Sequence, residues 1–434
     1  MIRRMLLPRP LVNSSRALGL FAGVEAVKQD PILGLVAEFK ADAFPAKVNL
    51  AQGAYRTEGG EPLLLEAVRE AERRVVARGA SKEYLPVEGL RSFVDAAAAF
   101  ALGADSPALR DGRVASLQAL SGTGSLRVCA EMLRDVAGVA EVHLPRPSWA
   151  NHAAIFAKAG LVVEDYAYLD ATRTSLDFEA MVADLDRLPP NAVVLLHAAA
   201  HNPSGVDPTR DQWRALADLF AEKELVPLFD TAYQGFASGD DEADAFAVRL
   251  FEARGHAPIL CQSFAKNLGL YGERVGAVHV VCDSEAEAAN LLSRVKQLVV
   301  RPMYSSPPLH GAALAAEVLN DGELLERWRG ELLAMARRIV DVRAALRGEL
   351  ERLDAAPPGA HGWRHITDQI GMFAFTGLTA PQVRSMRAVE HVYCTENGRM
   401  SLAGLAAADV PYVAAAVKRA TDAIPYEARV AVAA

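Results

Sequence analysis

The sequence predicts an α/β fold built around a mostly parallel sheet. Short apolar runs bounded by polar or turn residues recur along the chain, including residues 193–196, 226–229 and 259–261. Runs of this length and composition are typical of strands that are buried on both faces of a parallel sheet. Longer segments with apolar residues at helical spacing lie between them. This alternation of the two patterns indicates an α/β fold.

Two helical segments are especially clear. Residues 61–76 read EPLLLEAVREAERRVV, with apolar residues at helical spacing, and the helix is predicted to end near Gly79. Residues 323–353 form a long amphipathic stretch. We expect this stretch to be one helix that leads into a second domain, because 434 residues are enough for two or three domain-sized cores.

Composition narrows the class of protein. The chain is 51% hydrophobic and 23% charged, which is ordinary for a water-soluble protein, and no apolar run approaches the roughly 20 residues of a membrane helix. A net charge of −8 argues against nucleic acid as a general partner. The four cysteines are scattered, with no CxxC pair, so we expect free thiols and no metal site: Cys129, Cys261, Cys282 and Cys394.

Residues 1–22 differ in kind from the rest. They contain no acidic residue, the first being Glu25, and they carry four arginines: Arg3, Arg4, Arg9 and Arg16. An Arg-rich, acid-free start predicts an organelle transit peptide, and we expect import into the mitochondrial matrix. Plastid import is one alternative. The other is a disordered bacterial extension on a cytoplasmic protein.

Three apolar runs lead to polar residues that suit catalysis. Asn202 follows the first run after an alanine stretch, Asp230 follows the second, and Lys266 lies just past the third. Ligands of open α/β sheets bind at the carboxyl ends of the strands, so these side chains are expected to converge. A lysine for a Schiff base and an aspartate for a pyridinium nitrogen are what pyridoxal phosphate requires. Taken singly, such a lysine is more often a solvated loop charge, and such an aspartate a helix N-cap.

A phosphate site is indicated by Ser121-Gly122-Thr123-Gly124, which precedes the helical pattern SLRVCAEMLR. Small residues let backbone N–H groups approach a phosphate, and a helix N-terminus favours negative charge. The same four residues are also an ordinary capping turn. A nucleotide site is the competing interpretation, but GxGxxG and a Walker lysine are absent from the sequence.

From about residue 30 to its end, the chain resembles the aspartate aminotransferases of the class I, fold type I group. Ten motifs occur in the family's order, and several look most like the mitochondrial form. They are DPILGL, KEYLPVEGLRSF, SGTGSLR, PSWANH, AAAHNPSGVDP, FDTAYQGFASG, SFAKNLGLYGERVGA, RPMYSSPPLHGA, WRHITDQIGMFAFTGL and NGRMSLAG. The resemblance implies a large domain, residues 57–330, with a mostly parallel seven-stranded sheet. It also implies a smaller α+β domain from residues 23–56 and 331–434.

The resemblance also implies pyridoxal phosphate as the cofactor, and a site for it. The catalytic residues would be Lys266, Asp230 and Tyr233, with Lys266 forming the Schiff base and acting as general base. Residues matching the family's cofactor contacts are, for the phosphate, Gly122, Thr123, Ser263, Arg274 and Tyr84 of the other subunit, and, for the ring, Trp149, Asn202, Tyr233 and Asp230. His152 and His197 match histidines that orient the aspartate.

Substrate specificity would depend on two arginines. Arg399 matches the residue that binds the α-carboxylate, and Arg301 matches the one that binds the distal carboxylate across a dimer interface, with bidentate pairing in each case. Gly53, Trp149 and Asn202 complete the implied substrate contacts. The implied reaction is transfer between L-aspartate and 2-oxoglutarate with ping-pong kinetics, in a homodimer with shared active sites.

Four positions depart from the family pattern: Ala51, Gln52, Ala265 and Ser306. Gln52 stands where the family commonly has a small aliphatic residue over the substrate, and Ser306 where it usually has asparagine. Their effect on substrate preference is left open by the sequence. Two alternatives therefore stand beside the main interpretation: an aromatic aminotransferase on the same scaffold, and a catalytically silent protein that binds pyridoxal phosphate.

Overall fold

A computed structural model describes residues 20–21, 23–26, 30–79, 81–359 and 361–426. The predicted leader, residues 1–22, therefore lies outside the described residues except for residues 20 and 21. The described strands are β1 (Val48–Asn49), β2 (Val114–Leu120), β3 (Glu141–Arg146), β4 (Val162–Ala167), β5 (Val193–His197), β6 (Val226–Thr231), β7 (Ile259–Ser263), β8 (Val275–Val281), β9 (Phe373–Phe375), β10 (Val392–Tyr393) and β11 (Arg399–Ser401).

Helices fill most of the intervals between the strands. They are α1 (Pro31–Ala41), α2 (Glu66–Ala77), α3 (Arg91–Leu102), α4 (Pro107–Arg110), α5 (Ser121–Asp135), α6 (Asn151–Lys158), α7 (Phe178–Asp186), α8 (Arg210–Glu222), α9 (Asp241–Asp244), α10 (Phe246–Ala253), α11 (Glu285–Val295), α12 (Arg301–Tyr304), α13 (His310–Asn320), α14 (Gly322–Arg352), α15 (His365–Asp368), α16 (Ala380–Glu390) and α17 (Val410–Ala423). A π-helical turn, Lys296–Val300, joins α11 to α12.

The main sheet has seven strands among the described residues, in the order β2-β8-β7-β6-β5-β3-β4. Strand β8 runs antiparallel to both of its neighbours, whereas the other pairs are parallel. Every residue of β5 and β7 is buried, as expected for strands covered by helices on both faces. The predicted α/β class and mostly parallel sheet are confirmed.

Two small sheets lie outside the main one. Strand β1 pairs in parallel with β10, and β9 pairs antiparallel with β11, so the N-terminal and C-terminal segments are joined by hydrogen bonds. This pairing fits the predicted second domain, although the division at residues 57 and 330 stays a prediction. Helix α14 runs across residue 330 as a single element of 31 residues, about 46 Å long at 1.5 Å per residue.

Helix α14 is anchored to the large sheet at the loop that follows β7. Trp328 is completely buried, and its indole Nε1 donates a hydrogen bond of 2.7 Å to the backbone oxygen of Asn267, one residue past Lys266. A buried indole N–H without a partner would lower the stability of the folded state. This contact therefore holds α14 against the loop that contains Lys266 and Asn267.

Three further observations concern the cysteines, potential metal ligands and potential membrane-spanning helices. All four cysteines are buried and free. The described residues contain no group of three potential metal-binding side chains. In the same residues, no helix is both long and apolar enough to span a bilayer.

Gly276 in β8 provides a test of how closely the sheet packs on α5. A Cβ atom at this position would lie 2.5 Å from the backbone oxygen of Gln262 and 2.7 Å from the backbone of Ser121. We therefore expect Gly276→Ala to lower the free energy of unfolding by about 1–3 kcal/mol, because backbone atoms must move. Thermal and urea unfolding of the purified protein would measure this change.

The matched control is Gly330→Ala, at an exposed position inside α14 with no heavy atom within 4 Å of the added Cβ. There, alanine should raise the free energy of unfolding by up to about 1 kcal/mol, because it favours helix. Equal stability of the two variants would contradict the packing constraint at Gly276.

Candidate active site

One open cavity of about 180 Å³ lies at the carboxyl ends of the parallel strands. It receives Phe373 and Arg399 from the small sheet of β9 and β11, and Asp230 and Ser263 from the large sheet. The lining residues are Ile32, Gly53, Ser121, Gly122, Thr123, Leu126, Trp149, Asn202, Asp230, Ala232, Tyr233, Ser263, Lys266, Arg274, Phe373 and Arg399. The predicted convergence of Asn202, Asp230 and Lys266 is therefore what the fold produces.

At one end of the cavity, helix α5 begins directly after β2. The segment Ser121–Gly124 is the first turn of the helix itself, not a loop before it, and no side chain caps its N–H groups. Ser121 takes a left-handed backbone conformation with φ of 62°, which turns the chain sharply from strand to helix. The first-turn N–H groups and the helix dipole make this end suited to an anion.

Ser263 and Arg274 lie on the wall beside this helix terminus. The hydroxyl of Ser263 is 3.0 Å from that of Ser121, so the end of β7 contacts the start of α5. Gly122 faces the same serine, and a Cβ there would meet the Ser263 Cβ at 3.2 Å. Arg274 keeps one guanidinium nitrogen, Nη1, bonded to the backbone oxygen of Tyr271 at 2.9 Å. Together with the start of α5, these residues form a positively charged site that is suited to a phosphate.

The middle of the cavity contains Asp230, near the end of β6. One carboxylate oxygen, Oδ2, is 2.9 Å from Nε2 of His152, whereas Oδ1 is buried with no hydrogen-bond partner among the described residues. Burial raises the pKa of this carboxyl, but the hydrogen bond and nearby positive charge outweigh it, and the pKa lies below its usual value. Asp230 is thus a buried anion with one oxygen available to a cationic donor.

A chain of hydrogen bonds determines which nitrogen of His152 carries the proton. The backbone N–H of Asn202 donates to Nδ1 of His197 at 3.4 Å, which leaves Nε2 of His197 as the donor to Ser148 at 3.2 Å. The Ser148 hydroxyl then donates to Nδ1 of His152 at 2.7 Å, so Nε2–H of His152 points at Asp230. Burial lowers the pKa of His197 to about 3, consistent with a neutral ring.

The two predicted histidines thus differ in position. His152 contacts Asp230 directly, whereas His197 reaches it only through Ser148 and His152. Ser148 was not among the site residues predicted from the sequence, although this serine is part of the PSWANH motif.

Lys266 lines the cavity from near the start of the loop between β7 and β8, and the residue is only partly exposed, with its amine enclosed by protein atoms. Burial is the main cause of a lowered pKa, about 8, and the positive charges of Arg274 and Arg399 lower it further against the opposing effect of Asp230. A substantial fraction of the amine is therefore neutral near physiological pH, as a nucleophile or general base requires.

Asn202 and Tyr233 form a polar pair beside Asp230. The Asn202 side-chain amide donates to the Tyr233 hydroxyl at 3.4 Å, and both residues are buried. Burial, reinforced by the negative charge of Asp230, raises the pKa of Tyr233. The hydroxyl therefore stays protonated and can donate to an oxygen in the cavity.

Arg399, at the start of β11, forms the other end of the cavity. Its guanidinium donates to Asn202 Oδ1 at 3.2 Å and to the backbone oxygen of Ala51 at 2.8 Å, while Nε is buried without a partner among the described residues. Burial lowers its pKa to about 10, so it remains charged at neutral pH. A buried cation with no carboxylate partner in the described residues is suited to bind one from a ligand.

Phe373 is a cavity residue that sequence reasoning missed. Its ring centre lies 4.3 Å from Cζ of Arg399, and it meets Tyr233 edge-on with ring centres 6.3 Å apart. Gly53 makes room for it, because a Cβ on Gly53 would lie only 2.7 Å from the ring. Phe373 stands in the quoted segment GMFAFTGL, but its alternating pattern indicates only a short strand, not a stacking role.

Two predicted residues lie outside the cavity of this single chain. Tyr84 is 85% exposed and lines a separate surface groove that also contains Ser306. Arg301 is exposed at the start of α12 and donates to the hydroxyl of Ser305. Gln52 is also exposed, and its Oε1 accepts a hydrogen bond from Arg56 at 3.2 Å. The described chain does not by itself bring Tyr84 or Arg301 to the site.

Pyridoxal phosphate fits the residues present. The unpartnered Oδ1 of Asp230 suits a pyridinium N–H, the Asn202–Tyr233 pair suits the ring hydroxyl, and the uncapped helix terminus beside Arg274 suits the phosphate. The buried amine of Lys266 lines the same cavity. The unpartnered Oδ1 of Asp230 thus has a counterpart in the cofactor, whereas the unpartnered Nε of Arg399 is left for a substrate carboxylate.

Comparison with known proteins agrees with this geometry. Residues 45–417 match the family described as aminotransferase class I and II. Cytoplasmic aspartate aminotransferase of Oryza sativa subsp. japonica is 48% identical over 402 residues, covering 92% of this chain and 98% of that protein. Mitochondrial aspartate aminotransferase of Gallus gallus is 45% identical over 415 residues, covering 95% and 97%.

A solved structure adds the cofactor to the comparison. The aromatic-amino-acid aminotransferase of Burkholderia pseudomallei, covalently bound to pyridoxal phosphate, superposes with a TM-score of 0.88 at 41% identity, covering 93% of this chain and 99% of that one. With the family match and two relatives of nearly equal length, this likeness shows that the chain belongs to the class I and II aminotransferases, which depend on pyridoxal phosphate.

Proposed function

We propose that this protein transfers the amino group of L-aspartate to 2-oxoglutarate, giving oxaloacetate and L-glutamate. One observation carries the proposal. A single cavity contains a buried amine at Lys266, a carboxylate with a free oxygen at Asp230, and an arginine with an unpartnered nitrogen at Arg399. The names of the rice and chicken relatives support aspartate as the substrate.

Pyridoxal phosphate supplies an electron sink for the bond broken at the substrate Cα. Asp230 keeps a positive charge on the ring nitrogen favourable, because its buried carboxylate is already deprotonated and oriented by His152. Lys266 would accept the substrate Cα proton as a base and return it as an acid, since its lowered pKa leaves the amine partly neutral.

Arg399 holds the substrate α-carboxylate in this scheme. Its contacts with Asn202 and Ala51 leave Nε without a partner among the described residues, so a bound carboxylate would supply the hydrogen bond that burial removed from this nitrogen. Trp149 and Gly53 line the space that the substrate would occupy.

A homodimer would complete the site. Arg301 and Tyr84 are exposed and lie away from the cavity of their own chain, as expected if each contributes to the cavity of a partner subunit. In this arrangement Arg301 binds the distal carboxylate and Tyr84 the phosphate. Two-fold symmetry then gives two equivalent sites for each dimer.

An aromatic aminotransferase is the second candidate. The Burkholderia pseudomallei enzyme is named for that specificity, and it is 41% identical to this chain. Gln52, by contrast with the small aliphatic residue expected at this position, offers a polar side chain bonded to Arg56. Retention of both arginines favours the dicarboxylate substrate.

The compartment and domain division complete the proposal. An Arg-rich, acid-free start supports a transit peptide at residues 1–22 and the mitochondrial matrix as the destination. The two small sheets, built from both ends of the chain, support a small domain of residues 23–56 and 331–434 packed against the large one.

The first test is a titration of the purified holoprotein with L-aspartate and, separately, with L-phenylalanine. Low aspartate should convert the yellow visible band to the shorter-wavelength pyridoxamine form, and phenylalanine should need a much higher concentration. Lys266→Ala should retain the fold but lose steady-state turnover, because it lacks the base. An equal response to both amino acids would favour the aromatic enzyme, and steady transamination by Lys266→Ala would overturn the mechanism.

A second test uses pH. The amine of Lys266 is protonated below its pKa of about 8 and can accept a proton only above it. The rate of the aspartate half-reaction should therefore rise with pH through this region and level off above it. Stopped-flow absorbance at saturating aspartate measures the profile; a rate that falls over the same interval would exclude Lys266 as the base.

A third test asks which subunit supplies Arg301. Lys266→Ala and Arg301→Ala are each expected to be nearly inactive, but a mixed dimer would contain one intact site if Arg301 acts across the interface. The purified mixed dimer should then recover about half of the activity of the unsubstituted dimer, since one of two equivalent sites is restored. If the arginine serves its own subunit, no intact site forms and activity stays absent.

A further inference from the structure

Arg343 is a buried cation that the proposed mechanism does not use. It lies on α14 with only 2% of its surface exposed. Within the described part of the chain its hydrogen bonds all go to backbone carbonyls: Nη1 donates to Ile366 at 2.9 Å, and Nη2 to Gly371 at 2.8 Å and Phe373 at 2.6 Å. No carboxylate of these residues forms an ion pair with it.

A buried guanidinium without a counter-ion is expensive to maintain. Burial lowers the pKa of Arg343 to about 9, which reflects the cost of removing its charge from water. An apolar side chain could fill the same space without that cost. The three carbonyls are spread from α15, which contains Ile366, to the first residue of β9, Phe373, so Arg343 ties these two elements to the irregular stretch that joins them.

This segment, residues 366–373, touches both groups that face the substrate α-carboxylate. At one end, the Phe373 ring stacks against Arg399 and is confined by Gly53. In the middle, the backbone N–H of Ile370 donates to Gly205 at 2.8 Å, in the loop that carries Asn202. Asn202 in turn accepts from Arg399 at 3.2 Å.

The fit between the segment and the Asn202 loop leaves little room for movement. A Cβ on Gly205 would lie 2.6 Å from the oxygen of Ile370 and 3.0 Å from that of Phe373. A Cβ on Gly371 would collide with Ala200. A shift of the segment is therefore transmitted to the Phe373 ring and to the Asn202 loop, because close-packed groups move together.

We propose that Arg343 is a positioning residue for the α-carboxylate subsite. By binding the carbonyls of Ile366, Gly371 and Phe373, it sets the place of the Phe373 ring and, through it, the orientation of the Arg399 guanidinium. The inference rests on the proposed function only in that Arg399 binds the α-carboxylate. Since every α-amino acid has that group, it applies equally to an aspartate or an aromatic aminotransferase.

The experiment compares Arg343→Lys, Arg343→Met and the control Arg352→Met in the holoenzyme. Arg352 lies on the same helix but is exposed and paired with Glu349. Displacing Arg399 should lower kcat/KM for the best amino acid by about tenfold or more, mainly through KM, with a smaller loss for lysine than for methionine. The control should match the unsubstituted enzyme, and all variants should keep the visible cofactor band.

A double-substitution cycle separates positioning from general support of the fold. If Arg343 acts through Arg399, adding Arg343→Met to Arg399→Lys should lower kcat/KM little further, because the oriented group is already absent. Independent losses that multiply would overturn the proposal. So would unchanged kcat/KM in both Arg343 variants, or loss of folded holoenzyme in both, which would assign the residue a structural role only.

Activity of the unsubstituted enzyme, measured in parallel, tests the proposed function separately. Absence of transamination with both aspartate and phenylalanine would contradict that function. In that case, binding of 2-oxoglutarate to the holoprotein, followed by the visible absorbance, still tests the positioning role of Arg343. Arg343→Met should weaken this binding by about tenfold. Equal binding by the variant and the unsubstituted protein would overturn the inference.

Discussion

The site depends on keeping several ionisable groups out of water in one cavity. Asp230 and Arg399 are buried there, Lys266 is only partly exposed, and no ion pair joins any two of the three. Burying charge is costly unless hydrogen bonds or opposite charges offset it. The fold offsets the cost partly with neutral donors and acceptors, and the remaining unpartnered atoms are those that the cofactor and the substrate can satisfy.

The parallel sheet makes this arrangement possible. Strands β5, β6 and β7 run side by side, so residues that follow each strand meet at one edge although they are separated by 28 or more positions along the chain. His197 and Asp230 are register partners on adjacent strands, and the serine–histidine relay passes beside them. Orientation of the carboxylate therefore depends on His152 of α6 and on Ser148 in the loop before it, as well as on the register that places His197 beside Asp230.

The substrate end is built differently, from segments of both chain ends. Strands β9 and β11 present Phe373 and Arg399, and the segment around Ala51 and Gly53 follows β1. These short elements have few ladder hydrogen bonds of their own, so side chains supply the missing constraint. Arg343 from the long helix and Gly205 from the Asn202 loop both lie against the backbone carbonyl of Phe373.

The sequence by itself determined the α/β class, the buried strands, the long helix and the position of Lys266, Asp230 and Asn202 at strand ends, because hydrophobic periodicity and strand direction are local properties. Family motifs added Arg399, Tyr233 and the phosphate turn. Only the tertiary structure decided the Ser148 relay, the stacking of Phe373 on Arg399, the carbonyls bound by Arg343, and the exclusion of Tyr84 and Arg301 from their own chain's cavity. Those contacts join side chains to groups that packing alone brings near, and no periodic pattern records which distant partner a buried donor will meet.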